Sequence, residues 1–240
     1  MPLAGHGLRP TPLRRRASRP QLKRDPLGGP GLAISMPLRI QDYIASFPIR
    51  FGFLDPATEP WKLTSALSHL IEQFATSLDL SPFKNEAGIW VHKDATVEVG
   101  ATIKPPAVIL AACFVASTAY LRGGVVLDHG VTIGPACEVK RSIVMASSNV
   151  AHQSFVGDSL IGSDVNIEAG VVVANHFNEL LEQEVRVYVG GQGVRTGVTK
   201  FGALIGDHSR VGANAVLTPG TVLPPHSVVA RLALVDQRAD

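Results

Sequence analysis

Twenty aliphatic residues recur at five- or six-residue steps through most of this chain, and few folds tolerate so regular a pattern. The leads are Val91, Val97, Ile103, Ile109, Val115, Leu121, Leu127, Ile133, Val139, Val144, Val150, Val156, Ile161, Ile167 and Val173, then, after a break, Ile205, Val211, Leu217, Leu223 and Val229. A small or β-branched residue usually follows four places later, as at Ala95, Cys113, Cys137, Val165 and Ala215. A short fixed period marks a repeat architecture in which each unit buries its apolar edge only by stacking on its neighbours. The pattern predicts a parallel β-helix of triangular coils, three hexads to a coil and about six coils in all. A sandwich of amphipathic strands would need irregular spacing, with turns every 8 to 12 residues or so.

Outside the repeat the chain changes character. Residues 1–36 hold seven Arg or Lys against the single acid Asp25, so the net charge of +2 belongs to the tail and the rest is net negative. Rich in Pro, Gly and Arg and without apolar periodicity, this tail is expected to be disordered. Met36, where ordered sequence begins, offers an alternative start. Residues 37–87 follow a helical period, with Leu63, Leu67, Leu70, Ile71, Phe74 and Leu78 at three- and four-residue steps. They are expected to cap the open end of the β-helix and hide its unpaired strand edges. The β-helix should then occupy residues 88–234. It is interrupted at 176–200 by an insertion whose Val185, Val187, Tyr188 and Val189 precede Gly190 and Gly191, a pattern of strand and turn.

With 45% hydrophobic residues over 240 positions, the chain can bury a core without disulfides or metals. Cys113 and Cys137 both fall in small inward slots, where cysteine acts as a compact hydrophobe, so neither a disulfide nor a metal pair is expected. No apolar run reaches the roughly 18 residues of a membrane helix. A soluble, cytoplasmic protein without nucleic-acid or membrane partners is the expectation.

Polar signal concentrates between Arg122 and Lys200. Three hexads per coil would place Arg122 and Lys140 at the same position of one face, one rung apart, or about 4.8 Å. Two aligned cations suit a phosphate or diphosphate, and they equally suit a solvated ladder with acids such as Asp128 and Glu138. Asn175 is expected on the same face two coils beyond Lys140, with His152 in the coil between. A neutral imidazole there is able to remove a proton from an amine or hydroxyl attacking a thioester.

Several stretches carry a resemblance: Leu121-Arg122, Glu138-Val139-Lys140, Ala151-His152, Val156-Gly157-Asp158, Asp164-Val165-Asn166-Ile167, Asn175, and Lys200-Phe201 before Ile205-Gly206-Asp207. They resemble the C-terminal acetyltransferase domain of bacterial bifunctional enzymes that make UDP-N-acetylglucosamine from glucosamine-1-phosphate. With its helical start at Gln41-Asp42-Tyr43-Ile44 and Pro60-Trp61-Lys62-Leu63, the whole chain resembles the LpxA-like family transferases. The resemblance implies an all-β, left-handed parallel β-helix, against the usual right-handed crossover, and a homotrimer. It implies that His152 is the catalytic base and that Arg122, Lys140, Asn166, Asn175 and Lys200 contact a sugar phosphate or UDP-sugar. On the donor side, where acetyl-CoA is the implied acyl donor, the corresponding positions are His176 and Ala213.

There are departures from the pattern. His176 and Phe155 stand where that family has Tyr, Glu168 where it has Gly, and Ala213 where it has Ser, so the acceptor side is matched better than the donor side. The family's nucleotidyltransferase loop is absent, and nucleotide transfer is not expected. Carbonic anhydrases of the γ class share this β-helix but use two histidines five residues apart. Here His129, His152 and His176 are spaced by 23 and 24 residues, so no metal site is expected. The sequence thus points to an acyltransferase acting on a phosphorylated or nucleotide-linked sugar, with a non-catalytic sugar-nucleotide-binding or regulatory protein as its rival.

Overall fold

In the computed structural model, residues 38–239 are described, and the expectations for the basic tail lie outside them. The repeat winds into a left-handed parallel β-helix. Val97, Val115, Ile133, Val150, Ile167, Val211 and Val229 stack in register as one face, a parallel sheet seven strands deep. Call this the second face. The first face stacks Val91, Ile109, Leu127, Val144, Ile161, Ile205 and Leu223. The third stacks Ile103, Leu121, Val139, Val156, Val173, Leu217 and Val235. Each face is seven strands deep where about six coils were expected, and Leu234–Val235 completes the seventh coil on the third face past Val229.

Every lead from Ile109 to Leu217 is fully buried, together with the small residues Cys113, Ala119, Cys137, Val165 and Ala215. Large and small side chains alternate into a narrow interior, and each fully buried aliphatic contributes roughly 1.5–3 kcal/mol.

Outward positions, one residue before each lead, tell the faces apart. On the first face they are Trp90, Val108, Val126, Ile143, Leu160, Leu204 and Val222, and nearly all are buried. The chain covers this apolar surface itself. Helix Pro60–Thr76 begins with Pro at a tolerated position after the extended residue Glu59. It lays Trp61, Leu67, Ile71 and Phe74 onto the surface. The helix therefore lies along a flank and not over the open end as the sequence reading had it, because the first face is apolar on both sides and only a second layer can bury it. The insertion supplies the rest of that layer. Its strands Arg186–Val189 and Gln192–Arg195 pair antiparallel around Gly190 and Gly191, whose φ values of 57° and 78° suit a tight hairpin turn, and Val185 and Val187 are buried.

Ahead of the helix, a one-turn 3-10 helix (Ile40–Asp42) and the short helix Phe47–Arg50 are tied down by Asp207. Its carboxylate accepts the Ala45 and Ser163 backbone N–H groups at 2.9 and 2.7 Å.

Both cysteines are free and buried. Burial pushes the Cys113 thiol up to about 11 from the ordinary 9.0, and raises that of Cys137 in the same direction. Neither thiol should react with a disulfide reagent at pH 8 until the chain unfolds. Folded Cys113 keeps its proton above the pH at which an unfolded thiol releases it, so this contribution to stability is intact below 9.0 and is lost as pH rises to about 11. Leu121→Ala should lower the unfolding free energy by about 2–5 kcal/mol in urea titrations.

Candidate functional site

The third face ends at two corners, and the candidate residues divide between them. Arg122 and Lys140 are register partners at the end of the third face, where the chain turns toward the first. Between them the ladder is irregular: Gly123 and Gly124 stand opposite the single Arg141. A side chain on Gly124 would meet Ser68 of the flanking helix at 3.2 Å. One coil on, the same corner holds Gly157 and Asp158, and beyond them Ala174 and Asn175. Asn175 thus aligns with Asp158, one residue further round than the repeat arithmetic placed it. A Cβ on Gly157 would come within 2.9 Å of Asn175 Nδ2, so the glycine makes room for the carboxamide.

Asp158 is the centre of this corner. Its carboxylate is 1% exposed; Oδ2 accepts the Lys140 ammonium at 3.1 Å and the Asn175 carboxamide N–H, and Oδ1 lies 3.3 Å from a guanidinium nitrogen of Arg141. Lys140 is itself buried. Arg122 is more open and is paired with Glu138 at 2.6 Å, its guanidinium also 5.8 Å from the Tyr120 ring. Both stacked cations are therefore present in the expected register, each with a carboxylate of its own chain. Lys200 is exposed and makes no ion pair among the described residues; Phe201 beside it donates its N–H to the Asn175 carbonyl at 2.9 Å. His176 is exposed, with Nδ1 3.4 Å from Asn175 Oδ1.

His152 does not join this cluster. It sits at the other end of the third face, where the chain arrives from the second, and lies five positions before Gly157, the register partner of Lys140. That is on the order of 15 Å of extended chain. The ring is exposed and makes no hydrogen bond among the described residues. Asn166 lies on the second face, in register with Asn149 and Arg210. Ala213 stacks two coils past His152 at the same corner, through Ala169. Its N–H is taken by Glu168 Oε2 at 2.8 Å, and the same carboxylate holds Arg231 with two bonds of 2.9 Å. These bonds, Arg231 foremost, keep the Glu168 carboxyl below its ordinary range.

Asp158 and Arg141 were missed in the sequence as individual site residues. A signal for them existed: the lead spacing contracts to five only at Val139–Val144 and Val156–Ile161, and both short steps turn this one corner. Among the described residues no group of three or more His, Cys, Asp or Glu is placed to hold a metal. No described helix is long and apolar enough to cross a membrane.

The fold and this corner define a β-helical repeat protein that gathers cations, an amide and a buried carboxylate at one edge. Residues 115–234, half of the chain, match the GMPPB C-terminal domain family, and the chain belongs to it. It is 32% identical over 191 residues to a bifunctional sugar-1-phosphate nucleotidylyltransferase/acetyltransferase of Sulfurisphaera tokodaii, covering 78% of this chain and 47% of that one. It is 36% identical over 125 residues to the bifunctional protein GlmU of Methanococcus vannielii, covering 52% and 29%. A putative uncharacterized acetyltransferase, YaiX, of Escherichia coli is 33% identical over 116 residues, covering 48% and 50%. The chain thus spans half or less of the length of these relatives.

Burial predicts unequal costs for the two cations. Lys140→Ala leaves Asp158 buried with the Asn175 amide and one loosely held cation, Arg141, and should cost about 3–5 kcal/mol in stability. Arg122→Ala breaks a half-exposed pair and should cost less than about 1 kcal/mol. Urea denaturation of the two variants checks the order.

Proposed function

We propose that this chain is an acyltransferase that moves an acetyl group from acetyl-CoA to the amine or hydroxyl of a phosphorylated or nucleotide-linked sugar, as a cytoplasmic homotrimer. The observation that carries the reading is the cationic corner of Arg122, Lys140, Asn175 and Lys200, in a chain akin to proteins named for sugar-1-phosphate and acetyl transfer. Arg122 and Lys200 would meet the phosphate, Lys140 would add its charge from behind, and Asn175 would orient the sugar; Asn166, on the second face, would reach it only from a neighbouring copy of the chain.

Acetyl-CoA supplies an activated acyl carbon. His152 takes the proton of the attacking amine or hydroxyl as the new C–N or C–O bond forms and the C–S bond breaks; that proton then passes to the departing thiolate. Positioning and proton removal supply most of the acceleration in such a reaction.

A homotrimer is favoured because His152 and the cations occupy opposite ends of the third face, so one chain cannot bring them to one substrate. The first face is covered by the chain's own helix and hairpin, leaving the second and third faces for contact. On the third face Phe155, Val172, Val216 and Leu234 stack outward as an apolar stripe, and Leu234 is 67% exposed.

One observation favours a second reading, a sugar-nucleotide-binding protein without catalysis. The Ala213 N–H, on the donor side of the His152 corner, is already occupied by Glu168. Thiol release from acetyl-CoA in the presence of glucosamine-1-phosphate or UDP-sugars separates the two readings. Turnover is expected, and His152→Ala should lower kcat by about 10²–10⁴ while sugar-phosphate binding persists. Binding without thiol release in the wild type would decide for the second reading.

A further inference from the structure

We infer that Asp158 is a positioning residue of the acceptor site and that Arg141, held at its second oxygen, is a further cation contacting the acceptor's phosphate. The inference rests on the reading of this corner as an acceptor site and names two residues that the reading does not use.

An ionised Asp only accepts hydrogen bonds, so a carboxamide bonded to it must present its NH2 group. Asn175 donates Nδ2 to Asp158 Oδ2, which turns Asn175 Oδ1 away from the carboxylate. Asp158 therefore fixes how the carboxamide of the buried Asn175 is turned, with Oδ1 toward His176 Nδ1 3.4 Å away, so that this edge of the corner presents an acceptor and not a donor for a phosphate oxygen. The same oxygen takes the Lys140 ammonium at 3.1 Å and keeps that side chain 11% exposed. Lys140 contributes charge from within the corner and has little surface to offer a ligand directly.

Arg141 differs. Its side chain is 32% exposed, its NH1 lies 3.3 Å from Asp158 Oδ1, and that buried oxygen has no hydrogen-bond partner among the described residues. Guanidinium carries five N–H donors in a rigid fork, so one edge can hold Asp158 while another meets phosphate oxygens. The cluster holds two cations and one carboxylate, and the excess positive charge reaches solvent through Arg141. Backbone geometry fits this division: Arg141 and Asp158 turn consecutive coils at φ values of 47° and 48°, in the left-handed region where glycine is at less cost. Asp158 is also bonded along the backbone to both sides of the corner, its N–H to the Lys140 carbonyl at 2.8 Å and its carbonyl to the Gly202 N–H at 2.9 Å. Gly202 follows Lys200 and Phe201, so the carboxylate sits on the frame that also delivers Lys200.

Glucosamine-1-phosphate and inorganic phosphate, titrated into the full chain and its variants, test this alongside acetyl-transfer kinetics and acetylation of the Lys140 amine by a water-soluble reagent, read by mass spectrometry. Arg141→Ala should weaken glucosamine-1-phosphate binding by about tenfold or more, the effect of one lost charge-assisted hydrogen bond. Its kcat should stay within about threefold of wild type, as for lost binding without lost chemistry, and Arg141→Lys should recover part of the affinity. Asp158→Asn should raise KM for the acceptor and raise labelling of Lys140 several-fold. Asp158→Glu, which keeps the charge and displaces it by one methylene, carries the same test if the Asn variant does not fold. Unchanged affinity in Arg141→Ala overturns the role of Arg141, and unchanged Lys140 labelling and acceptor KM overturn that of Asp158. If wild type itself does not bind glucosamine-1-phosphate, the acceptor reading fails separately; phosphate binding then decides for Arg141 and labelling for Asp158.

Discussion

Each aliphatic lead of this β-helix buries itself only against the leads of the coils before and after it. That stacking constraint fixes the rung spacing and the triangular section. Through these it decides which polar residues can meet. Residues one rung apart at a corner are neighbours however far apart they lie in sequence; residues at opposite ends of a face are not, however close their numbers. Arg141 and Asp158 touch across 17 positions. His152 and Asp158 are six positions apart and sit at different corners.

Covering the first face has consequences for the site. The outward residues there are apolar, so the helix Pro60–Thr76 and the hairpin of the insertion form a second layer. Trp61, at the start of that helix, packs edge-on against Phe201, with ring centroids 6.0 Å apart. Phe201 in turn bonds to Asn175 and adjoins Lys200. Packing of the second layer thus reaches the polar corner through one aromatic contact, and the insertion that interrupts the repeat delivers Lys200 to it.

Much of the fold was legible in the sequence because burial imposes the period directly: a lead that is not Val, Ile or Leu leaves its coil without a core. Helix Pro60–Thr76 was equally legible, from Leu63, Leu67, Ile71 and Phe74. Its location was not, since the apolar residues that receive it, Val108, Val126 and Ile143, each stand beside a lead and read as part of the same run. The stacking of Arg122 on Lys140 followed from the arithmetic of three hexads per coil. That arithmetic also brought Asn175 to the same corner two coils on, one residue further round than Lys140, but it set His152 near the cations by counting coils without asking which corner each residue turns. Ion pairing was out of reach for a different reason: whether Lys140 is free or held by Asp158 depends on side-chain direction at a left-handed corner, which periodicity does not encode.

The central claim is that the base and the acceptor-binding corner come from different copies of the chain. It is tested most directly by subunit complementation: His152→Ala and Arg122→Ala proteins are assayed for thiol release from acetyl-CoA separately, then after dissociation and reassembly as a mixture. The account predicts that the mixture recovers activity that neither variant has alone, because some interfaces then pair an intact His152 corner with an intact Arg122 corner. A reassembled mixture no more active than the two parents, under conditions where reassembled wild type is active, would contradict it.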